Sequence, residues 1–506
     1  MDISRFIQST MRVSYGRILA AQLVVCLGIL LLGPQAASAQ VSWEYSPYRN
    51  QVWLAIGPSP DLNAEVRDRV AQELVLRSQA IIGPCWELSI AEPPAELASD
   101  LALDVELLAA SELEAHAEKS LLENDKLFLV QLGTNPREMI VRVREFDCRT
   151  RHLGPVIERR LRQPDRLAAE TFTALVQSFA PLVRIESGEE KTLVTRLRAG
   201  GLVIDPESPA YVNTGDILQP IVRRNDRLGK PTRIDVVDWT FLEVTKRNET
   251  NPNLLECHVH SAMRSPIRGR GGSRREQYAL GLRLTFPSTR IDVLAQVPSK
   301  ETPYALPGLE VYAKRPSTAP PPQTPEEKVA EAKDNPAELL GYTDWRGSYT
   351  VQPGNQPLRI VYLKNGGQLL RRLPIVPGLQ PTLRIEVPDD DPRLMAEGFI
   401  RGFHGEIMDL VAQRKILEVR IRKRIEESKV DEATQLIAEL RSLPSRNDMA
   451  RKLDQAQNRQ IKSPNRFVQG HIDTMYGDTR TMLNQYLNPD LPNQLNAELN
   501  KVAGGP

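Results

Sequence analysis

The hydrophobic pattern predicts a multidomain α+β chain: an N-terminal α/β sandwich, a middle all-β barrel or sandwich, a further β unit and an α-helical C-terminal region. Three observations carry this reading. The 506 residues exceed what one ordinary core organises and suggest about three or four domains. The apolar period changes along the chain, from alternating strand and helix signals, to short strands between turn residues, to helical spacing at the end. The 39 prolines point to loops and linkers.

Residues 1–39 read as a cleavable secretory signal peptide. Arg5, Arg12 and Arg17 precede an apolar run from Ile18 through Leu32, and Gly33 and Pro34 end the helix. Ala37-Ser38-Ala39 then offers the small side chains a signal peptidase accommodates, which predicts cleavage between Ala39 and Gln40 and a secreted or periplasmic protein. The rival is an uncleaved anchor, because the run is only slightly shorter than the ~20 residues that cross a bilayer. A lipoprotein signal is set aside, since Val25 precedes Cys26 and that cysteine lies inside the run. No later stretch approaches spanning length, so no integral span is expected after cleavage. A formal charge of +1 with 25% charged residues implies a balanced surface and argues against a global nucleic-acid binder.

The first mature unit, 40–187, follows the order β-α-β-α-β-β-β-α of an open α/β sandwich. Val52 to Ile56 reads as a strand, and Ser59-Pro60-Asp61 as the start of a helix whose stripe is Leu62, Val66, Val70 and Leu74. Trp86 to Ile90 is the next strand. An acidic helical stretch from about Ala95 to Glu123 comes before strands at Lys126 to Leu132, Met139 to Phe146 and Val156 to Leu161, and a helix from Arg166 to Phe179 closes the unit. Cys85 and Cys148 share this unit, so they are the candidate disulfide; three buried free thiols, counting Cys257, is the equal alternative.

The all-β unit, 188–300, shows strands at Leu193 to Leu197, Gly201 to Ile204, Ile217 to Arg223, Ile234 to Val237, Trp239 to Thr245, Leu254 to His260, Tyr278 to Phe286 and Arg290 to Val297. The polar stretch Asn248 to Asn253 suits a hairpin loop.

The third unit, 301–388, opens with Leu306-Pro307-Gly308-Leu309-Glu310-Val311 and later carries Gly341-Tyr342-Thr343-Asp344-Trp345-Arg346-Gly347-Ser348-Tyr349-Thr350-Val351. A Pro-Gly turn into one strand and a Thr-Asp-x-x-Gly-x-Tyr turn into another resemble the carboxypeptidase regulatory-like domains, over about residues 303–387. The resemblance implies an immunoglobulin-like β-sandwich acting as a noncatalytic accessory module, and it names no ligand. A Pro-rich, Lys/Glu-rich insert at 316–338 departs from the family pattern.

The α-helical region, 389–506, starts at Asp389-Asp390-Asp391-Pro392 and runs a stripe through Ile400, Phe403, Ile407, Leu410, Leu417, Ile421 and Ile425 to about Glu427. Helices at Asp431 to Leu440, Arg446 to Ala456 and Phe467 to Leu487 follow. Such a stripe packs within the chain or serves as a coiled-coil seam.

Two clusters carry candidate chemistry. His258 and His260, two apart on a strand, share a face, while Cys257 points the other way; with a third ligand they would bind a metal, and without one they are an ordinary polar strand face. Arg264, Arg268, Arg270, Arg274 and Arg275 are interleaved with Gly269, Gly271 and Gly272, a loop suited to anions or simply a solvated hairpin. No Gly-x-Ser-x-Gly elbow, His-Glu-x-x-His helix or phosphate loop is present, and no cofactor is predicted. The resulting expectation is an exported, noncatalytic binding or scaffold component of the envelope or extracellular space, with a protein or envelope-polymer partner and no nucleic acid. Its rivals are an exported hydrolase with a site between the first two units and an anion binder using the Arg264–Arg275 loop.

Overall fold

A computed structural model describes residues 42–59, 61–189, 191–264, 266–267, 274–297, 302–319 and 322–504. The leader with its Ala39–Gln40 junction, Pro60, Arg268 and Arg270 lie outside the described residues. The chain is a multidomain α+β protein with a helical C-terminal region. Among the described residues no helix is long and apolar enough to cross a membrane.

The first sheet has the order β2-β1-β3-β4-β5, built from β1 (Tyr48–Ile56), β2 (Trp86–Ala91), β3 (Lys126–Thr134), β4 (Met139–Asp147) and β5 (His152–Leu161). β1 runs parallel to both β2 and β3, and β3, β4 and β5 form an antiparallel meander. Strand periodicity splits the core: Phe128, Val130 and Leu132 of β3 face α1 (Ala64–Arg77) and the closing helix, whereas Leu127 and Leu129 face the helices of the acidic stretch. That stretch is not one helix. It breaks into α2 (Ala95–Leu103), α3 (Ala110–His116) and α4 (Glu118–Glu123), with Asp104 extended between them and its carboxylate accepting from Glu106 N at 3.0 Å. The closing helix is α5 (Leu167–Ser178).

Helix α1 begins later than the Ser-Pro-Asp signal suggests. Asn63 caps it, accepting from Val66 N at 2.9 Å, because the Ser59 hydroxyl is taken by Thr134 Oγ1 at 2.7 Å. The candidate disulfide between Cys85 and Cys148 is also corrected, since both are buried free thiols on opposite faces of the sheet. The two strands lying between β2 and β4 hold them roughly 14 Å apart, beyond the ~7 Å limit for a bridge. Burial pushes Cys85 up to about 12 and Cys257 up to about 11, so neither supplies a thiolate near neutral pH.

The next sheet joins β6 (Leu182–Gly188), β7 (Thr192–Leu197), β8 (Ile217–Asn225), β9 (Pro231–Val236), β10 (Thr240–Arg247), β11 (Leu254–Ser261) and β12 (Arg275–Gly281) in the order β10-β11-β7-β6-β12-β8-β9. A further β10–β8 pairing closes six of these strands into a barrel, with β9 extending outward. Gly201 to Ile204, read as a strand, instead starts in a single 3-10 turn at Gly200–Leu202, which packs on the turn at Trp43–Tyr45. β6 belongs to this barrel although it falls in the stretch read as α/β.

β13 (Thr289–Ala295), grouped by its spacing with the barrel strands, leaves them. It pairs with β16 (Ser348–Val351) and, in parallel, with β19 (Thr382–Val387). Facing that sheet is a second one of order β15-β14-β17-β18, formed by β14 (Glu310–Lys314), β15 (Glu338–Tyr342), β17 (Arg359–Asn365) and β18 (Gln368–Ile375), with a common core between them. The two turn motifs of this unit meet. Thr343 Oγ1 accepts from Leu309 N at 2.9 Å and donates to Leu306 O at 2.8 Å, and Asp344 Oδ1 accepts from Arg346 N and Ser348 N. Gly347 sits at φ 70°, where an added Cβ would meet Val293 O at 2.6 Å. β14 and β15 are antiparallel neighbours, so the intervening insert is an excursion from a hairpin; it carries α6 (Pro325–Asp334).

The helical end comprises α7 (Asp391–Glu426), α8 (Val430–Ser442), α9 (Arg446–Arg459), α10 (Arg466–Tyr486) and α11 (Leu491–Ala503). The α7 stripe is covered from within the chain. Ile400, Phe403, Ile407 and Leu410 pack with residues of α9 and α10, and Leu417, Ile421 and Ile425 with residues of α8 and α11. α11 has no counterpart among the helices read from the sequence.

Candidate functional site

β11 aims its side chains as strand alternation dictates. Cys257 points into the barrel, its sulfur 3.6 Å from Thr195 Oγ1, while His258 and His260 share the other face with ring centroids 4.8 Å apart. His260 Nε2 lies 2.7 Å from Glu243 Oε2 on the neighbouring β10. Burial pushes His258 below the ordinary imidazole range, helped by His260 and opposed by Glu243. Among the described residues no group of three or more His, Cys, Asp or Glu side chains is placed to hold a metal. Asp235, a carboxylate that a neighbouring strand could have offered as a third ligand, is on β9 and accepts from Arg233 Nε at 2.8 Å. The pair thus lacks the three or four ligands of a tight zinc site.

The two histidines line a groove of about 1040 Å³ between the barrel and the second β unit. Its barrel wall is Lys191, the end of β11 and Arg264; its opposite wall comes from Lys314 of β14, Tyr362 of β17 and Arg372 of β18; and the insert, from Arg315 to Asn335, forms the third. The cations Lys191, Arg264, Lys314, Arg315 and Arg372 line it, against the carboxylates Glu327, Glu331 and Asp334, all three of α6. Lys314 Nζ approaches Glu331 at 3.8 Å. Asn335 clips the base of the insert, its amide bonded to Arg315 N at 3.2 Å and Arg315 O at 3.0 Å.

The Ser261 hydroxyl beside the histidines is already committed. Ser261 shares a hydrogen bond with Thr240 Oγ1 at 2.8 Å and accepts from Met263 N at 2.9 Å, while His260 is held by Glu243. What remains is a set of guanidinium, ammonium and imidazole groups suited to recognising anions. Of the five arginines singled out in the sequence, the structure brings Arg264 to the groove. Arg274 is exposed, Arg275 opens β12 opposite Arg224, and Arg268 and Arg270 are outside the described residues.

No family model and no curated protein matches the chain. Among solved structures, TolB from Acinetobacter baumannii aligns over 69% of this chain and 98% of its own, at 12% identity and a TM-score of 0.18. A likeness that low carries no argument about fold or function.

The seam between the first two units is packed where a hydrolytic cleft would need space. One apolar cluster runs from Val52, Leu74 and Phe172 through to Ile221, Tyr278 and Leu280 of the barrel. Beside it Lys126 Nζ bonds Glu145 Oε1 at 2.6 Å, Asp147 Oδ2 at 2.8 Å and Ala180 O at 2.6 Å, all three charged groups buried. Arg198 similarly ties Asp125 at 2.8 Å to Pro47 O at 3.0 Å. The Lys126 cluster lies within the first unit, and Arg198, which follows β7, is the charge that crosses to it.

Sequence reading missed Lys191, Lys314, Arg315 and Arg372. Lys314-Arg315 ahead of a proline-rich insert was a local signal for two of them. Lys191 is a single basic residue just ahead of β7 and Arg372 the second of an Arg371-Arg372 pair within β18, and nothing local says that either will face a groove.

Proposed function

We propose that the protein is an exported, noncatalytic binding or scaffold component of the envelope or extracellular space, and that it holds an anionic partner in the groove between barrel and second β unit. The observation that carries this is the groove's charge: five cations and two imidazoles come from both flanking units and the insert, and its carboxylates all belong to one helix. Guanidinium and ammonium groups converging on a shared concavity favour carboxylate or phosphate. The unit over about 303–387 is read as an immunoglobulin-like module of the carboxypeptidase regulatory-like kind, a reading supported by the junction of its Pro-Gly and Thr-Asp turns through Thr343. Its role is then to supply one wall of a binding surface. The export reading rests on the leader.

Retention on a carboxylate-bearing matrix tests the binding surface. The protein should be held at low ionic strength and released by salt. Joint replacement Arg264→Ala, Lys314→Ala and Arg372→Ala should remove most of that retention while thermal melting changes little. Unchanged retention in the folded triple variant would sink the groove as the ligand surface.

A further inference from the structure

The insert is attached to the groove in an unusual way. Helix α6 has no buried residue, and its Val329 is 70% exposed. It is a well-formed helix nonetheless: Thr324 and Glu327 make a reciprocal capping box, and Pro325 occupies its first turn. A helix without an apolar anchor is not fastened by the hydrophobic effect. Among the described residues its polar ties to the body are the Asn335 clip at its base and the partly exposed Glu331–Lys314 pair, a weak kind of contact.

Its charge is not random with respect to what it covers. Glu326, Glu327, Glu331 and Asp334 outweigh Lys328 and Lys333, and Glu327, Glu331 and Asp334, spaced four and three apart, lie along one helical face and line the groove. On the other side, Lys191, Arg264, Arg315 and Arg372 form no side-chain ion pair among the described residues, which leaves Lys314 as the groove cation that α6 engages directly. The helix is an acidic segment resting on a basic surface that it satisfies only in part.

We infer that the groove binds an acidic polypeptide segment and that α6 is a tethered competitor for the same cations. The inference rests on the groove being the ligand surface, and it adds the partner's class and a built-in restraint. A polypeptide is favoured over nucleic acid because the molecule itself displays the occupant: a short segment with carboxylates on one face, seated against Lys314. The proline-lined wall at Pro316 and Pro322 and the lone Tyr362 provide no row of aromatic platforms for bases. A ligand richer in carboxylates than α6 would reach Arg264, Arg315 and Arg372 as well, displacing the helix about its clipped base.

The test uses the full-length mature chain and a fluorescein-labelled poly-L-glutamate of about 15 residues, read by anisotropy at low salt. Glu327→Gln, Glu331→Gln and Asp334→Asn together remove the competing charge, with glutamine at 327 retaining the cap. This variant should bind about tenfold more tightly than the parent chain. Lys314→Ala with Arg372→Ala should weaken binding at least about tenfold, and Lys314→Gln, which keeps the stem packed, should weaken it in the same direction. Loss of binding in the cation variants with unchanged or weaker affinity in the carboxylate variant overturns competition by α6 and leaves the groove standing. Binding indifferent to both sets, or no binding by any chain, overturns the groove and this inference together.

Discussion

His258 is placed by two facts of different origin. Strand alternation puts it beside His260, and the second β unit then closes over both, so that burial and the neighbouring imidazole push its pKa down while Glu243 pulls the other way and Lys191 adds to the depression. Because the folded value lies below the ordinary ~6.5, the folded chain binds fewer protons than the unfolded one, and the stability contributed by neutral His258 is lost as pH falls through that region. An acidic ligand inverts the preference: carboxylates in the groove favour imidazolium, so binding takes up a proton. Affinity for poly-L-glutamate should rise as pH is lowered from about 7.5 to 6, and the slope should flatten in His258→Gln. A slope that survives the substitution would assign the proton elsewhere. At this scale the facing of the two histidines and of Cys257 was legible, since it follows from a period of two. Their meeting with Lys314 and Arg372 was not.

Elements with strong periodicity were legible and their partners were not. The α7 stripe was plain from Ile400 to Ile425, yet the same spacing suits a coiled-coil seam and an internal core, and only the packing of four further helices distinguishes them. Ile421 is fully buried beneath α8 and α11. Ile421→Ala should therefore cost about 2–5 kcal/mol in urea unfolding of the helical end, whereas an exposed stripe would tolerate it. α11 carries Pro492 in its first turn, a position compatible with a helix start. The strand β13 illustrates the opposite failure. Its alternation was correct, but alternation does not say which sheet receives it.

Two of the joints between the units differ in character. Between the first two units the core is continuous, and the Lys126, Glu145 and Asp147 cluster is sealed beside it, with burial raising the Glu145 carboxyl against the pull of Lys126. Such a cluster adds little over apolar packing but is costly to break from one side. Lys126→Met strands two buried carboxylates and should lower the stability of both units together by about 3–5 kcal/mol, seen as one shifted calorimetric transition. Two separate transitions, with only one displaced, would contradict the shared core. The second joint, between barrel and second β unit, sets a smaller apolar contact of Ile217 and Phe241 with Leu358 and Val376 beside the wide basic groove where the insert intervenes. Taken by itself, the sequence determined the strongly periodic helices and strands, the facing of residues along them, and the turn chemistry around Thr343 and Gly347. Those properties depend on neighbours a few positions away. Which strands share a sheet, that Cys85 and Cys148 lie on opposite faces, and that Lys191, Arg264, Lys314 and Arg372 converge were decided by tertiary structure alone. Those contacts join distant segments, and a local pattern carries no record of which distant surface will cover it.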